Sequence, residues 1–184
     1  MASATWRDAS QARRILLQGV TGSGRSTLAL ALGAVLDLPV TLVDEAMWLP
    51  GWVSVPEAEQ DVIAAGWIAR DEWALDSTYG RHRIEAMDRA DLVICLDYPR
   101  LLSLGRLVRR TATGSVTQEQ RCNGNIESLR HALGPESILR WHFRSWWRKR
   151  DTMRAWHANP FEPAVVLLKR PRDLDEGGPT PYGR

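Results

Sequence analysis

Gly19-Val20-Thr21-Gly22-Ser23-Gly24-Arg25-Ser26-Thr27 follows the apolar run Ile15-Leu16-Leu17 and opens a segment of helix-forming residues, Leu28 to Leu38. A strand, a glycine-rich turn and a helix in that order are the setting a phosphate-binding loop requires. Glycines there let backbone amides approach an anion closely, and the helix that follows aims its positive end at the same point. Ser26 falls where the phosphate-loop pattern carries its hydroxyl, a group suited to holding Mg²⁺. Position 25 departs from the pattern, which has Lys where this chain has Arg. The charge survives, but a compact ammonium on a flexible stem is replaced by a broad planar fork. The stretch from Gly19 to Thr27 is therefore the expected nucleotide-phosphate site, with Val20, Thr21 and Ser23 contributing backbone.

Working outward, Ser26 to Leu36 predicts a helix ended by Pro39, and Val40 to Val43 a short strand closed by Asp44. Pro56 with Glu57 and Glu59 marks a helix start running to about Arg70. Trp73 to Leu75 is a second short strand, ending at Asp76, and Arg81 to Arg89 a helix. Asp91 to Leu96 is the clearest buried strand and ends at Asp97. Leu101 to Arg110 predicts a helix with Leu101, Leu104 and Val108 on its apolar face. Residues 112–124 read as loop, 125–133 as a short helix, Glu136 to about Trp156 as a long helix, and Ala164 to Leu168 as the last strand. Residues 1–12 suggest a frayed leader and the Pro- and Gly-rich end beyond Arg170 a mobile tail. No internal repeat or domain linker is visible. Alternating strands and helices argue a parallel sheet covered on both sides, with ligands at the carboxyl ends of its strands.

The 184 residues suit one domain with a full core. No apolar run is long enough to span a bilayer, and the first fourteen residues lack a signal-peptide core. Cys95 sits in an apolar strand and Cys122 in a polar stretch, without metal or redox spacing, so a reducing cytoplasm is expected. The net charge of +2 is unevenly spread. Residues 100–154 hold eleven Arg and one Lys against four acids, a local excess of eight. Such concentration suggests a polyanion, either a nucleotide's phosphates or a nucleic acid.

Asp44, Asp76 and Asp97 each close an apolar run, so the fold would bring them to the edge that carries the glycine loop. Phosphoryl transfer needs a carboxylate near Mg²⁺ and another that orients the attacking hydroxyl, whereas a lone Asp after a strand merely caps a helix or starts a turn. Arg106, Arg109 and Arg110 before the polar stretch, with Arg121 and Arg130 in or after it, have the layout of a lid closing over phosphates. Arg140, Arg144 and Arg148 recur every fourth residue and share a helix face, which repels itself unless an anion lies opposite. Trp48 and Trp52, beside Asp44, are placed to stack on a flat substrate such as a base.

The glycine loop, Leu42-Val43-Asp44 with Trp48-Leu49-Pro50-Gly51-Trp52, Leu75 to Gly80, Ala90 to Arg100 and Asn123 to Glu127 together resemble the small adenylate-kinase-like P-loop proteins often labelled DNA topology modulation proteins. The resemblance runs from Arg13 to about Arg172. It implies an α/β P-loop NTPase three-layer sandwich with a five-stranded parallel sheet, nucleoside-monophosphate-kinase-like, with a helical lid over residues 111–135. It further implies ATP and Mg²⁺ at the loop edge, with Asp76 the foremost metal or base candidate and Asp44 on the acceptor side. Relatives carry Lys at the position of Arg25.

The expected activity is transfer of the γ-phosphoryl group of ATP to a small acceptor, a nucleoside or nucleotide. Ser26 with Asp76 or Asp97 would serve Mg²⁺. Arg25, Arg106, Arg110, Arg121, Arg140 and Arg144 would clamp the phosphates, and Asp44 would orient the acceptor. Two alternatives are an ATP-binding regulator that scarcely turns over because of Arg25, and a nucleic-acid-binding protein using the Arg and Trp of residues 100–156.

Overall fold

In the computed structural model, residues 5–117, 120–126, 137–159, 163–175 and 179 are described. The strand β1 (Arg14–Gly19) lies at the centre of a five-stranded sheet. Its neighbours are β5 (Trp73–Leu75) and β6 (Leu92–Leu96), and the edges are β2 (Val40–Thr41) and β9 (Val165–Leu168). The order is β2-β5-β1-β6-β9 and every pairing is parallel. All five strands therefore end at one edge.

Alternation along the strands divides the core into two layers. Ile15, Leu17, Leu92, Ile94 and Leu96 face one side, where Leu28 and Leu32 of α1 (Arg25–Leu36) cover them. Leu16, Val93 and Cys95 face the other. There they meet Ile68 of α3 (Glu57–Ile68), Met87 of α4 (Arg83–Arg89) and Met153 of α6 (Ile138–Ala158). Each such side chain taken fully from water contributes about 1.5–3 kcal/mol.

Parts of the segments expected to fray, residues 5–12 and 171–175, are packed in the described structure. Residues Trp6–Ser10 form a 3-10 helix whose Trp6 and Ala9 are buried, and Trp6 Nε1 donates to the Leu174 carbonyl oxygen at 2.9 Å. Beyond Arg170, Pro171–Asp175 is a second 3-10 helix with Leu174 buried; Asp173 accepts from the Lys169 and Arg170 amides. The hydrophobic contact between these segments is long-range, so neither segment's own pattern announces it.

Two differences from the expected elements fall near residues 100–126, where a lid was expected. Helix α5 (Arg100–Thr117) runs seven residues past the expected end. It buries Ser103, Leu107, Thr111 and Gly114, leaving Leu101 82% exposed and Val108 47% exposed. The buried face is the one that meets the glycine loop, where the Ser103 carbonyl oxygen and Leu107 lie against Gly22. The expected loop then becomes a hairpin of β7 (Gln120–Arg121) and β8 (Asn125–Ile126). Cys122, Asn123 and Gly124 all take positive φ at its tip. Asn125 and Ile126 are thus strand rather than helix; the rest of 127–136, Arg130 included, lies outside the described residues, as does the side chain of Arg121.

Candidate active site

The glycine loop turns at the carboxyl end of β1 and hands the chain to α1, with Gly24 as its N-terminal cap. Gly22 has φ +82°, and a Cβ there would collide with the Ser103 carbonyl oxygen of α5. A Cβ on Gly19 would sit 2.5 Å from Ser23 Oγ. These two glycines let the loop stay tight beneath α5. Arg106 Nη1 donates to the Ser23 carbonyl oxygen at 3.0 Å, and Ser23 Oγ is buried with no hydrogen-bond partner among the described residues.

Ser26, in the first turn of α1, donates from Oγ to Asp76 Oδ2 at 2.6 Å. Asp76 follows β5 directly, is 2% exposed, and takes the Val43 amide on its other oxygen at 2.9 Å. A hydroxyl and a carboxylate joined this way beside a phosphate loop form a hard oxygen donor set of the kind Mg²⁺ uses together with nucleotide phosphates. No cluster of three or more His, Cys, Asp or Glu suited to a metal exists among the described residues. The donor pair therefore fits a metal shared with phosphates rather than an all-protein cage.

Asp97 has other partners. It accepts from Arg154 Nε at 2.8 Å and lies 3.6 Å from Arg150 Nε, both on α6. Its buried carboxylate ties α6 to the end of β6 and does not line the cavity that holds Ser26 and Asp76. Of Asp44, Asp76 and Asp97, only Asp76 meets Ser26; Asp97, expected beside the metal, is held in an ion pair with Arg150 and Arg154.

That cavity has a volume of about 1770 Å³ and runs along the whole strand edge. Its floor is the loop from Gly19 to Thr27 with Asp76. On the β9 side it reaches Pro171, Arg172, Leu174 and Asp175. On the β2 side it reaches Asp44, Glu45, Trp48, Trp52, Tyr79 and Arg83. Arg106 and Arg110 line it from α5, and Arg140, Arg144 and Arg148 from α6. The four-residue arginine row thus faces the cavity, as its spacing suggested.

Asp44 is not at a strand end. It lies in the first turn of the short helix α2 (Val43–Met47), and Tyr79 Oη donates to its Oδ1 at 3.4 Å. Burial, and then the charge of Asp44, push the Tyr79 phenol well above its ordinary value, so it stays a donor. Trp48 and Trp52 stand edge to face at 6.0 Å across the small hairpin of β3 (Trp48–Leu49) and β4 (Val53–Ser54). The β7–β8 hairpin clamps this wall. Asn123 Nδ2 donates to the Glu45 and Trp48 carbonyls, both at 2.8 Å. Asn125 Oδ1 accepts from the Trp52 amide at 2.8 Å and its Nδ2 donates to the Leu49 carbonyl at 2.9 Å.

Helix α6 begins at Ser137, whose hydroxyl accepts from the Arg140 amide. His142, fully buried, holds its Nδ1 3.1 Å from the Thr21 carbonyl oxygen and must be the donor there. Burial keeps that imidazole below its ordinary pKa. Lys149 also lines the cavity. Sequence reading passed over His142, Lys149, Tyr79 and Arg83. Only Lys149 carried a signal, being one of two lysines in a chain with 22 arginines.

No family model matches the chain, and no curated protein matches it. Among solved structures, a gluconokinase from Sinorhizobium meliloti superposes with a TM-score of 0.50 at 14% identity, covering 90% of this chain and 87% of that one. A sugar kinase from a Janibacter species gives 0.49 at 16%, covering 94% and 99%. A deoxyadenosine kinase from M. mycoides, solved with its products, gives 0.44 at 12%, covering 84% and 88%. With the sheet order and the glycine loop, the first of these likenesses defines the fold as that of the small P-loop kinases, of nucleoside-monophosphate-kinase type. The narrower resemblance read from residues 44–52 has no counterpart in these comparisons. No described helix is long and apolar enough to cross a membrane.

Proposed function

We propose that the protein is an ATP-dependent phosphotransferase that moves the γ-phosphoryl group to a small hydroxyl-bearing acceptor of the nucleoside or nucleotide class. The observation that carries this reading is the 2.6 Å contact of Ser26 with Asp76 on the floor of a cavity lined by the glycine loop, with its Arg25, and seven further arginines. In this reading the amides of Gly19 to Gly24 cradle the phosphates, assisted by the start of α1. Ser26 and Asp76 would hold Mg²⁺, which when bound would supply positive charge against the nucleotide phosphates. Arg25, Arg106, Arg110, Arg140 and Arg144 face the charge that grows on the transferred group, and Arg121 is assigned to the same group from its place in the lid hairpin.

The acceptor would lie on the β2 side, its hydroxyl oriented by Asp44 and its planar part against Trp48 or Trp52. Arg83, on the same wall, is the cation a nucleotide acceptor's phosphate would meet. The adenine would lie on the β9 side, near Leu174. Incubation with Mg-ATP and a panel of nucleosides, nucleotides and sugars tests this. ADP release that depends on one acceptor is expected, and no ADP above background with any of them overturns the assignment.

Arg25 favours one second reading, a nucleotide-binding regulator with little turnover. A large gain in turnover in Arg25→Lys, from a barely active parent, would support that reading.

A further inference from the structure

We propose that Lys149 supplies, from helix α6, the ammonium that position 25 of the glycine loop lacks, and that it contacts the terminal phosphate of the bound triphosphate. This rests on the nucleotide reading of the cavity.

Composition provides the first argument. The chain has 22 arginines and two lysines, Lys149 and Lys169. A sequence that places Arg at nearly every cationic position, the loop's own position 25 included, keeps Lys at one α6 position that lines the cavity. Lys presents a compact point charge with three rotatable donors, which fits a crowded phosphate where a planar fork does not.

Geometry provides the second. His142 is pinned to the Thr21 carbonyl of the glycine loop. Lys149 lies seven residues, close to two turns, further along the same helix and so on the same side. It enters the cavity whose floor holds Arg25, Ser26 and Asp76. Three charged groups act on it there: Arg25 from α1 and Arg148 from α6 repel its ammonium, and Asp44 from α2 attracts it. Over the cavity as a whole, eight arginines and Lys149 face only Asp44, Glu45, Asp76 and Asp175, an excess of positive charge. Such a cluster is costly by itself and is satisfied by a polyanion. Burial foremost, and then Arg25, push Lys149 down to about 8, in keeping with that position.

In the transfer, the bond from the γ-phosphorus to the β,γ-bridging oxygen breaks and its electron pair stays with ADP. A new bond forms from the acceptor hydroxyl oxygen to that phosphorus, and the hydroxyl proton passes to Asp44. The Lys149 ammonium exchanges no bond. It balances charge on the non-bridging oxygens as they pass between donor and acceptor.

The test labels the intact protein with an amine-acetylating reagent and maps the two lysines by mass spectrometry. Exposed Lys169 serves as the internal reference. Saturating Mg-ATP is expected to slow acetylation of Lys149 severalfold relative to Lys169, with Mg-ADP protecting less. A mutant cycle supplies the second readout. Lys149→Met, which keeps the stem, should lower kcat by about a hundredfold with Arg25 in place and far less in an Arg25→Lys background. If Mg-ATP raises the melting temperature while Lys149 acetylates unchanged, the inference falls and the nucleotide site stands. If Mg-ATP neither raises the melting temperature nor protects Lys149, the nucleotide reading falls and takes the inference with it.

Discussion

Arg106 donates from Nη1 to the Ser23 carbonyl oxygen across 3.0 Å, joining the middle of α5 to the glycine loop. The two residues are 83 positions apart, and their contact sits where a Cβ on Gly22 would strike the Ser103 carbonyl. Helix α5 therefore shapes the loop as well as covering it. Arg106→Ala should weaken Mg-ATP binding by roughly ten- to a hundredfold, since hydrogen bonds to charged groups contribute about 1.5–3 kcal/mol. Isothermal titration measures this, and unaltered affinity would reduce the contact to packing.

Two glycines make a matched pair. Gly22→Ala places a Cβ at φ +82° and into the α5 backbone, and should cost about 1–3 kcal/mol along with nucleotide binding. Gly66, inside α3, would have nothing within 4 Å of an added Cβ. Gly66→Ala should stabilise by about 0.5–1 kcal/mol. Urea titrations of both variants read the difference, and a harmless Gly22→Ala would contradict the tight-loop geometry.

The two strand-end acids separate by what they hold. Asp76→Asn should lower kcat at least about a hundredfold and raise the Mg²⁺ concentration needed for half-maximal rate. Asp97→Asn leaves Arg150 and Arg154 without their buried partner and should destabilise by about 3 kcal/mol, with the Mg²⁺ dependence unaltered. Magnesium titrations of both variants are decisive; a shifted Mg²⁺ requirement in Asp97→Asn would return that residue to the metal site.

Lys149 sets a pH dependence. Its native value of about 8 lies below the 10.5 it has in the unfolded chain. Between those values the unfolded state binds more protons, so this group adds stability as pH rises through the window and adds none below about 8. Urea melts should show the wild type gaining on Lys149→Met from pH 8 to pH 10, as an order-of-magnitude window. A bound triphosphate reverses the local field and raises the pKa, so binding near pH 9, roughly, should take up a proton. Calorimetry in buffers of different ionisation enthalpy counts that proton, and Lys149→Met should not show it.

Asn125 holds the tryptophan wall from two sides, through the Trp52 amide and the Leu49 carbonyl. Asn125→Ala should raise the acceptor KM severalfold and leave the ATP KM nearly unaltered. Equal changes in both would mean that the β7–β8 hairpin governs the whole cavity.

Much of this molecule was readable in the chain. The apolar runs at 15–17, 73–75 and 92–96 announced their strands because a strand buried on both faces must be apolar throughout. The glycine loop announced itself because its backbone tolerates few side chains. Helix α5 misled because its packed face is Ser103, Leu107, Thr111 and Gly114. Leu107 meets the glycine loop, against Gly22, while Leu101 and Val108 stay exposed, so the stripe read from the sequence is not the face that packs. The 120–126 hairpin was hidden by its brevity, being two residues a side with a left-handed tip.

What the sequence alone determined is the local material: which runs are strands, where the chain makes its glycine turn from strand to helix, and which four-residue spacing puts arginines on one helix face. What only the tertiary structure decided is who meets whom. Asp44, Asp76 and Asp97 look alike in sequence, each closing an apolar run. Because β5 lies directly beside β1, Asp76 reaches Ser26; because α6 crosses the end of β6, Asp97 is taken by Arg150 and Arg154 instead. Strand order and helix crossing are set by burial summed over the whole core, and no short window of sequence records that sum.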